Sequence, residues 1–113
     1  MPAKVKDLVE AAHKVVPGIA PQEAQKMMEE GALLLDVRDS TELAATGTAV
    51  GAHHVPRGML EFRADPDSPL HDHELRPDRT VVLYCAAGGR AARAGQTLRE
   101  MGYGQVYKLG GVK

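Results

Sequence analysis

The sequence is short of several things at once, and each shortage removes a class of protein. It holds one cysteine, Cys85, so no internal disulfide can form and nothing in the composition calls for an oxidising compartment. There is no tryptophan, one phenylalanine and three tyrosines, too few rings for a surface that stacks nucleobases. Neither sign of charge dominates. Fourteen Lys and Arg stand against 15 Asp and Glu, a net charge of −1, so no global field draws in nucleic acid. No apolar run approaches the roughly 18 residues of a membrane span. The opening MPAKVKDLVEAAHKVV carries Asp7 and Glu10 inside its apolar pattern, unlike a secretory leader. The expectation is a cytoplasmic protein that engages neither nucleic acid nor membrane. Its 113 residues suit one domain whose core is built from Val, Leu, Ile, Ala and Met, without metal or disulfide staples.

What is present alternates. Residues 4–15 place Val5, Leu8, Val9, Ala12 and Val15 on one stripe of a helix, which Pro17-Gly18 ends. Pro21 suits the first turn of a second helix, with Gly31 as its stop. Ala32 to Leu35 is a short apolar run, as in a buried parallel strand. Ser40 to Ala45 forms a short helix closed by Gly47. Ala52 to Val55 is a strand stopped by Pro56. Arg57 to Ala64 is helical, with Met59, Leu60 and Phe62 turned inward. Residues 65–78 hold Pro66, Pro69 and Pro77 and have no period, as expected of a surface loop. Val81 to Tyr84 is a strand, Arg90 onward a helix that Gly102 caps, and Gln105 to Leu109 a last strand before a Gly110-Gly111 turn. Strands alternating with helices make an α/β fold with a parallel sheet covered on both faces. In such sheets the site lies at the carboxyl ends of the strands.

The stretch Val81 to Leu98 draws the most attention. A strand stops at Cys85, turns through Ala86, Ala87, Gly88 and Gly89, and enters a helix at Arg90. Turn amides and the free N–H groups of a helix N-terminus converge on one point, which the helix dipole makes positive. A thiol there ionises below its ordinary value of about 8.5, and Arg90 adds planar donors for an anion. A lone cysteine can also be a small buried hydrophobe. Its place beside Gly-Gly and Arg, rather than inside the apolar run, favours an anion cradle around a nucleophilic sulfur.

Asp36 and Arg38 follow a strand and fall on the same rim. They either brace the cradle or form a surface turn with an ion pair worth at most about 1 kcal/mol. Five histidines raise the question of a metal. His53 and His54 point to opposite faces of a strand, His71-Asp72-His73 sits in the polar loop, and His13 lies on the polar side of the first helix. Zinc wants three or four protein ligands, so neither metal nor other cofactor is expected. No histidine can be tied to Cys85, which leaves a Cys–His hydrolase a weak option.

At this point the residues match a family. From about Gly18 to Gly111 the chain resembles a single-domain rhodanese, a sulfurtransferase. Leu34-Leu35-Asp36-Val37-Arg38-Asp39 with Glu42 looks like that family's first motif. Gly47, Gly51-Ala52 and Val55-Pro56 look like its second. Val82 to Arg90 looks like the active-site loop, and Gly102-Tyr103, Val106 and Leu109-Gly110-Gly111 like the closing signature. The four blocks in this order are specific where each alone is not. Residues 1–17 then stand apart as an N-terminal helix, and the resemblance implies 18–113 as a rhodanese-like domain with a central parallel sheet of about five strands. It implies that Cys85 takes the outer sulfur of thiosulfate or another sulfane donor as a persulfide, and that cyanide, a thiol or a protein acceptor removes it. Arg90 and the loop of Ala86, Ala87, Gly88, Gly89 and Ala91 would hold the anionic donor. Loop N–H groups and a guanidinium are suited to a dianion whose leaving group, sulfite, is also one.

Some positions depart from the family pattern. Thr48-Ala49 replaces a His-Ile pair, and Ala91 replaces a Ser or Thr that offers a hydroxyl and a cap. The chain also stops where many members enter a last helix. One face of the sheet is then left to the first helix or to a partner chain, including a second copy in a homodimer. Two other functions compete. A cysteine phosphatase or arsenate reductase places its Arg six positions after the Cys, where this chain has Ala91. A sulfur carrier or persulfide-sensing module would keep both Cys85 and Arg90 and act only with a partner.

Overall fold

The computed structural model describes residues 3–47, 49, 51–84 and 88–109. Cys85, Ala86, Ala87, Thr48 and the Gly110-Gly111 turn lie outside the described residues. In chain order the elements are α1 Val5–Val15, α2 Pro21–Glu29, β1 Leu33–Asp36, α3 Ser40–Thr46, β2 His53–His54, a 3-10 turn Arg57–Met59 running into α4 Leu60–Ala64, β3 Val81–Tyr84, α5 Gly89–Glu100 and β4 Val106–Lys108. The strands form a parallel sheet in the order β2-β1-β3-β4. The register pairs Leu33 with Val81 and Asp36 with Tyr84, so β1 and β3 end together.

Against the family-based expectation of about five strands, the described residues form four strands and one bridge. Gly18 pairs with Lys108 beyond β4. Ile19 N donates to the Lys108 carbonyl and Lys108 N to the Pro17 carbonyl, both at 2.9 Å. The edge stays this short because Pro17 has no N–H to extend the ladder and α2 begins three residues after Gly18. The Lys108 amine, buried under α1, donates to the Val16 carbonyl. It satisfies an orphan acceptor at the C-terminal end of α1, and its burial lowers its pKa.

Period-two alternation sorts the central strands onto two faces. Leu33, Leu35, Val81, Leu83 and Val106 point to the side that α5 covers with Ala91, Ala94 and Leu98. Leu34 and Val82 point to the other side, against Ile19 and Ala24 at α2. α1 packs on α5, not on the α2 face. A Cβ on Gly95 would come within 2.7 and 2.8 Å of the Val16 methyls and 3.2 Å of Leu83 Cδ1, so only glycine lets α1 approach this closely. The stripe on α1 is only partly used. Ala12 is buried and Val9 half-buried, whereas Val5, Leu8 and Val15 stay exposed. On the α2 side Tyr84, Tyr107 and Leu109 remain half-buried.

One expectation fails. Phe62 is exposed rather than turned inward. The preceding turn is 3-10, so the α-helix proper begins at Leu60. Leu60 and Ala64, four apart, share the buried face, and Phe62 sits about 200° around from Leu60 at 3.6 residues per turn. The polar loop between Asp65 and Asp78 also contributes to the core, through fully buried Leu75. Among the described residues no helix is long and apolar enough to cross a membrane.

Candidate active site

The shared end of β1 and β3 forms a rim at which Asp36, Arg38 and Tyr84 meet. Asp36 is the last residue of β1, and the chain folds back so that its carboxylate accepts the Arg38 amide at 3.0 Å, an Asx-type turn. The same carboxylate takes Arg38 Nε at 3.0 Å and Nη2 at 2.7 Å. Nη1 also donates to Thr46 Oγ1 at 2.9 Å and Nη2 to the Gly47 carbonyl at 2.8 Å. Asp36 is 0% and Arg38 5% exposed. The reading of these two as a surface turn is therefore excluded: they form a buried, hydrogen-bonded pair that raises the Arg38 pKa. Arg38 Cζ also lies 5.1 Å from the centre of the Tyr84 ring, a cation–π contact. Tyr84 ends β3 and is bonded directly to Cys85.

The far side of the loop is set by α5. Gly88, in the left-handed region at φ 89, is the residue before its first turn. A positive φ at this point suits glycine alone. Gly88 and Ala91 are buried, and Ala91 packs into the core beneath the helix. Its side chain thus serves packing. Gly89 is half-buried, and a Cβ there would touch the Val9 methyls of α1 at 3.7 and 3.8 Å.

Arg90 does not simply face outward toward an anion. Its Nη1 donates to Glu42 Oε1 at 2.5 Å and its Nη2 to Glu42 Oε2 at 2.8 Å, a bidentate pair between α5 and α3. Glu42 Oε1 also accepts the Asp39 amide at 3.0 Å, the reciprocal bond that closes the first turn of α3. The Arg90 hydrogen bonds, then the Asp39 amide, hold the Glu42 carboxyl down at about 2. Sequence reasoning placed Glu42 in a motif but missed it as the partner of Arg90. The Asp39-x-x-Glu42 spacing of a capping box was the local signal, but nothing local joins residues 48 apart.

The histidines part company as alternation requires. His53 Nε2 lies 2.5 Å from Asp72 Oδ2. His54 Nε2 lies 2.6 Å from the Arg38 carbonyl, which makes it the protonated nitrogen. That bond ties β2 to the buried pair, a role the sequence did not suggest. His71 Nε2 meets the Leu75 carbonyl at 2.8 Å. Among the described residues no group of three or more metal-ligating side chains gathers.

The rhodanese-like domain family matches residues 20–113. Among curated relatives, the uncharacterized protein YqhL of Bacillus subtilis is 38% identical over 80 residues, 71% of this chain and 56% of YqhL. The chain thus spans little more than half the length of that relative. The thiosulfate sulfurtransferase GlpE of Haemophilus influenzae is 30% identical over 93 residues, covering 80% of this chain and 78% of GlpE. Among solved structures, a Rhodopseudomonas palustris protein of unknown function, described as a possible tyrosine phosphatase, superposes with a TM-score of 0.85 at 30% identity over 98% of this chain and 89% of its own. The human single-domain sulfurtransferase TSTD1 superposes with a TM-score of 0.72 at 27% identity, over 87% of this chain and 92% of its own. With that family model matched over residues 20–113, this chain belongs to the rhodanese-like family.

Proposed function

We propose that this protein is a sulfurtransferase that carries sulfane sulfur on Cys85. The observation that supports it most is how the sole thiol is bracketed. It follows the last residue of a central strand, braced by the buried Asp36–Arg38 pair, and precedes a twelve-residue helix whose second residue, Arg90, stands at the rim. The helix dipole and its free N–H groups favour an anion there, first the thiolate and then the persulfide.

The reaction runs in two displacements. The Cys85 thiolate attacks the outer sulfur of a donor such as thiosulfate. A sulfur–sulfur bond forms to Cys85 as the bond to sulfite breaks, and sulfite leaves with the electron pair. Cyanide, a small thiol or a protein thiol then attacks the outer sulfur of the persulfide and regenerates the thiolate. No cofactor is consumed. The amides of Ala86, Ala87, Gly88 and Gly89 and the Arg90 guanidinium stabilise the charge as it moves. Asp36 and Arg38 are positioning residues that fix the strand end. The reading carries with it a cytoplasmic location and a small anionic donor.

The test is an intact mass after incubation with thiosulfate and, separately, with an organic persulfide. A gain of one sulfur that dithiothreitol removes, absent from Cys85→Ser, supports the reading; no gain from either overturns it. Turnover with cyanide distinguishes an enzyme from a carrier. The likeness to a possible tyrosine phosphatase warrants one more assay. Here Arg90 comes five positions after Cys85 and Ala91 occupies the sixth, a tighter loop that fits one extra sulfur better than a tetrahedral phosphoryl group. Hydrolysis of p-nitrophenyl phosphate that depends on Cys85 would favour the phosphatase.

A further inference from the structure

Arg90 is the cation closest to Cys85 along the chain, yet both of its terminal nitrogens donate to Glu42, at 2.5 and 2.8 Å. This carboxylate is no loosely placed surface group. The Asp39 amide, 3.0 Å from Oε1, holds it in the first turn of α3, and the Arg90 hydrogen bonds help hold its pKa at about 2. It is therefore ionised wherever a thiolate exists. An anion that approaches this guanidinium meets a fixed negative charge already seated on it. The repulsion scales with the product of the charges, so a dianion feels it twice as strongly as a monoanion. Specificity of this kind comes from a repulsive element built against one class of ligand.

Taking Cys85 as the acceptor of sulfane sulfur, we infer that Glu42 is a specificity-determining residue: by occupying Arg90 it tilts the site away from dianionic donors such as thiosulfate and toward donors with a single negative charge at the reacting end, such as an organic persulfide. Arg90 still draws anions to the rim. Glu42 reduces how much charge the rim rewards.

Binding tests this without chemistry. In a Cys85→Ser background, thiosulfate and methanethiosulfonate are titrated by calorimetry. The second carries the same terminal sulfur with one charge fewer. Glu42→Gln removes the carboxylate charge but keeps an oxygen for the Asp39 amide. The expected result is that E42Q tightens thiosulfate about tenfold and methanethiosulfonate about threefold, because the gain in log affinity follows ligand charge. Thiosulfate binding that is unchanged or weaker, or equal tightening of both anions, would overturn the inference. If E42Q lacks a cooperative melt, E42S is read by the same criteria. The outcomes separate cleanly from those of the transfer reading. Failure of the wild type to gain sulfur leaves the charge preference measured here standing, and a flat E42Q response leaves persulfide formation untouched.

Discussion

Two arginine–carboxylate pairs stand on the same rim and differ in almost every consequence. Asp36–Arg38 lies within one turn of chain, is buried, and spends its donors on protein acceptors. Glu42–Arg90 joins α3 to α5 across 48 residues and keeps its side chains 32% and 39% exposed. The first pair has been removed from water, so losing either member strands a charge. The second remains in contact with solvent, which screens it and lets other anions compete. The chemistry of the two pairs is the same; burial seals one from solvent and leaves the other within reach of anions.

The sharpest way to break that contrast is Asp36→Ala. It leaves the Arg38 guanidinium buried without its counter-charge, and the expected loss is about 3–5 kcal/mol in urea unfolding. A loss below about 1 kcal/mol would put the pair with ordinary surface bridges. Gly95→Ala touches neither pair and serves as a reference for destabilisation alone. The new methyl would press on Val16 and Leu83, at a cost of about 1–3 kcal/mol. A neutral result would mean that α1 does not sit on α5 as described. Tyr84→Leu keeps the strand but removes the ring beside Arg38. Its expected cost, about 0.5–2 kcal/mol, should vanish when Arg38 is also replaced, as a double-mutant cycle would show.

The smallest effect belongs to the exposed pair and is read from pH. Glu42 titrates at about 2 in the folded chain against an ordinary 4.5. A depressed carboxyl contributes stability above its unfolded value and loses it as pH falls through the folded one. The gap in urea midpoint between the wild type and E42Q should therefore be level from pH 7 to about 5 and close between 4.5 and 2. A gap that persists at pH 2 would mean that the carboxylate charge is not what separates the two proteins.

The two pairs also differ in how far they could be read in advance. Asp36-Val37-Arg38 after an apolar run was legible as a rim element, because its partners are two residues apart. Its burial was not, since that depends on Tyr84, Thr46 and Gly47 arriving from elsewhere. The engagement of Arg90 by Glu42 was invisible for the same reason. Phe62 falls outward because it lies two residues, about 200°, around α4 from buried Leu60.

By itself the sequence determined the alternation of strand and helix, the parallel sheet, the placing of the lone thiol between a strand end and a helix start, and the family. Each of these rests on local periodicity, turn residues and motif order, which the chain carries in one dimension. Only the tertiary structure decided that α1 lies on α5 through the gap at Gly95, that the fifth strand shrinks to a bridge at Gly18, and that Arg90 is held by a carboxylate. Those outcomes depend on which distant groups reach the same few ångströms and on how much water is left between them.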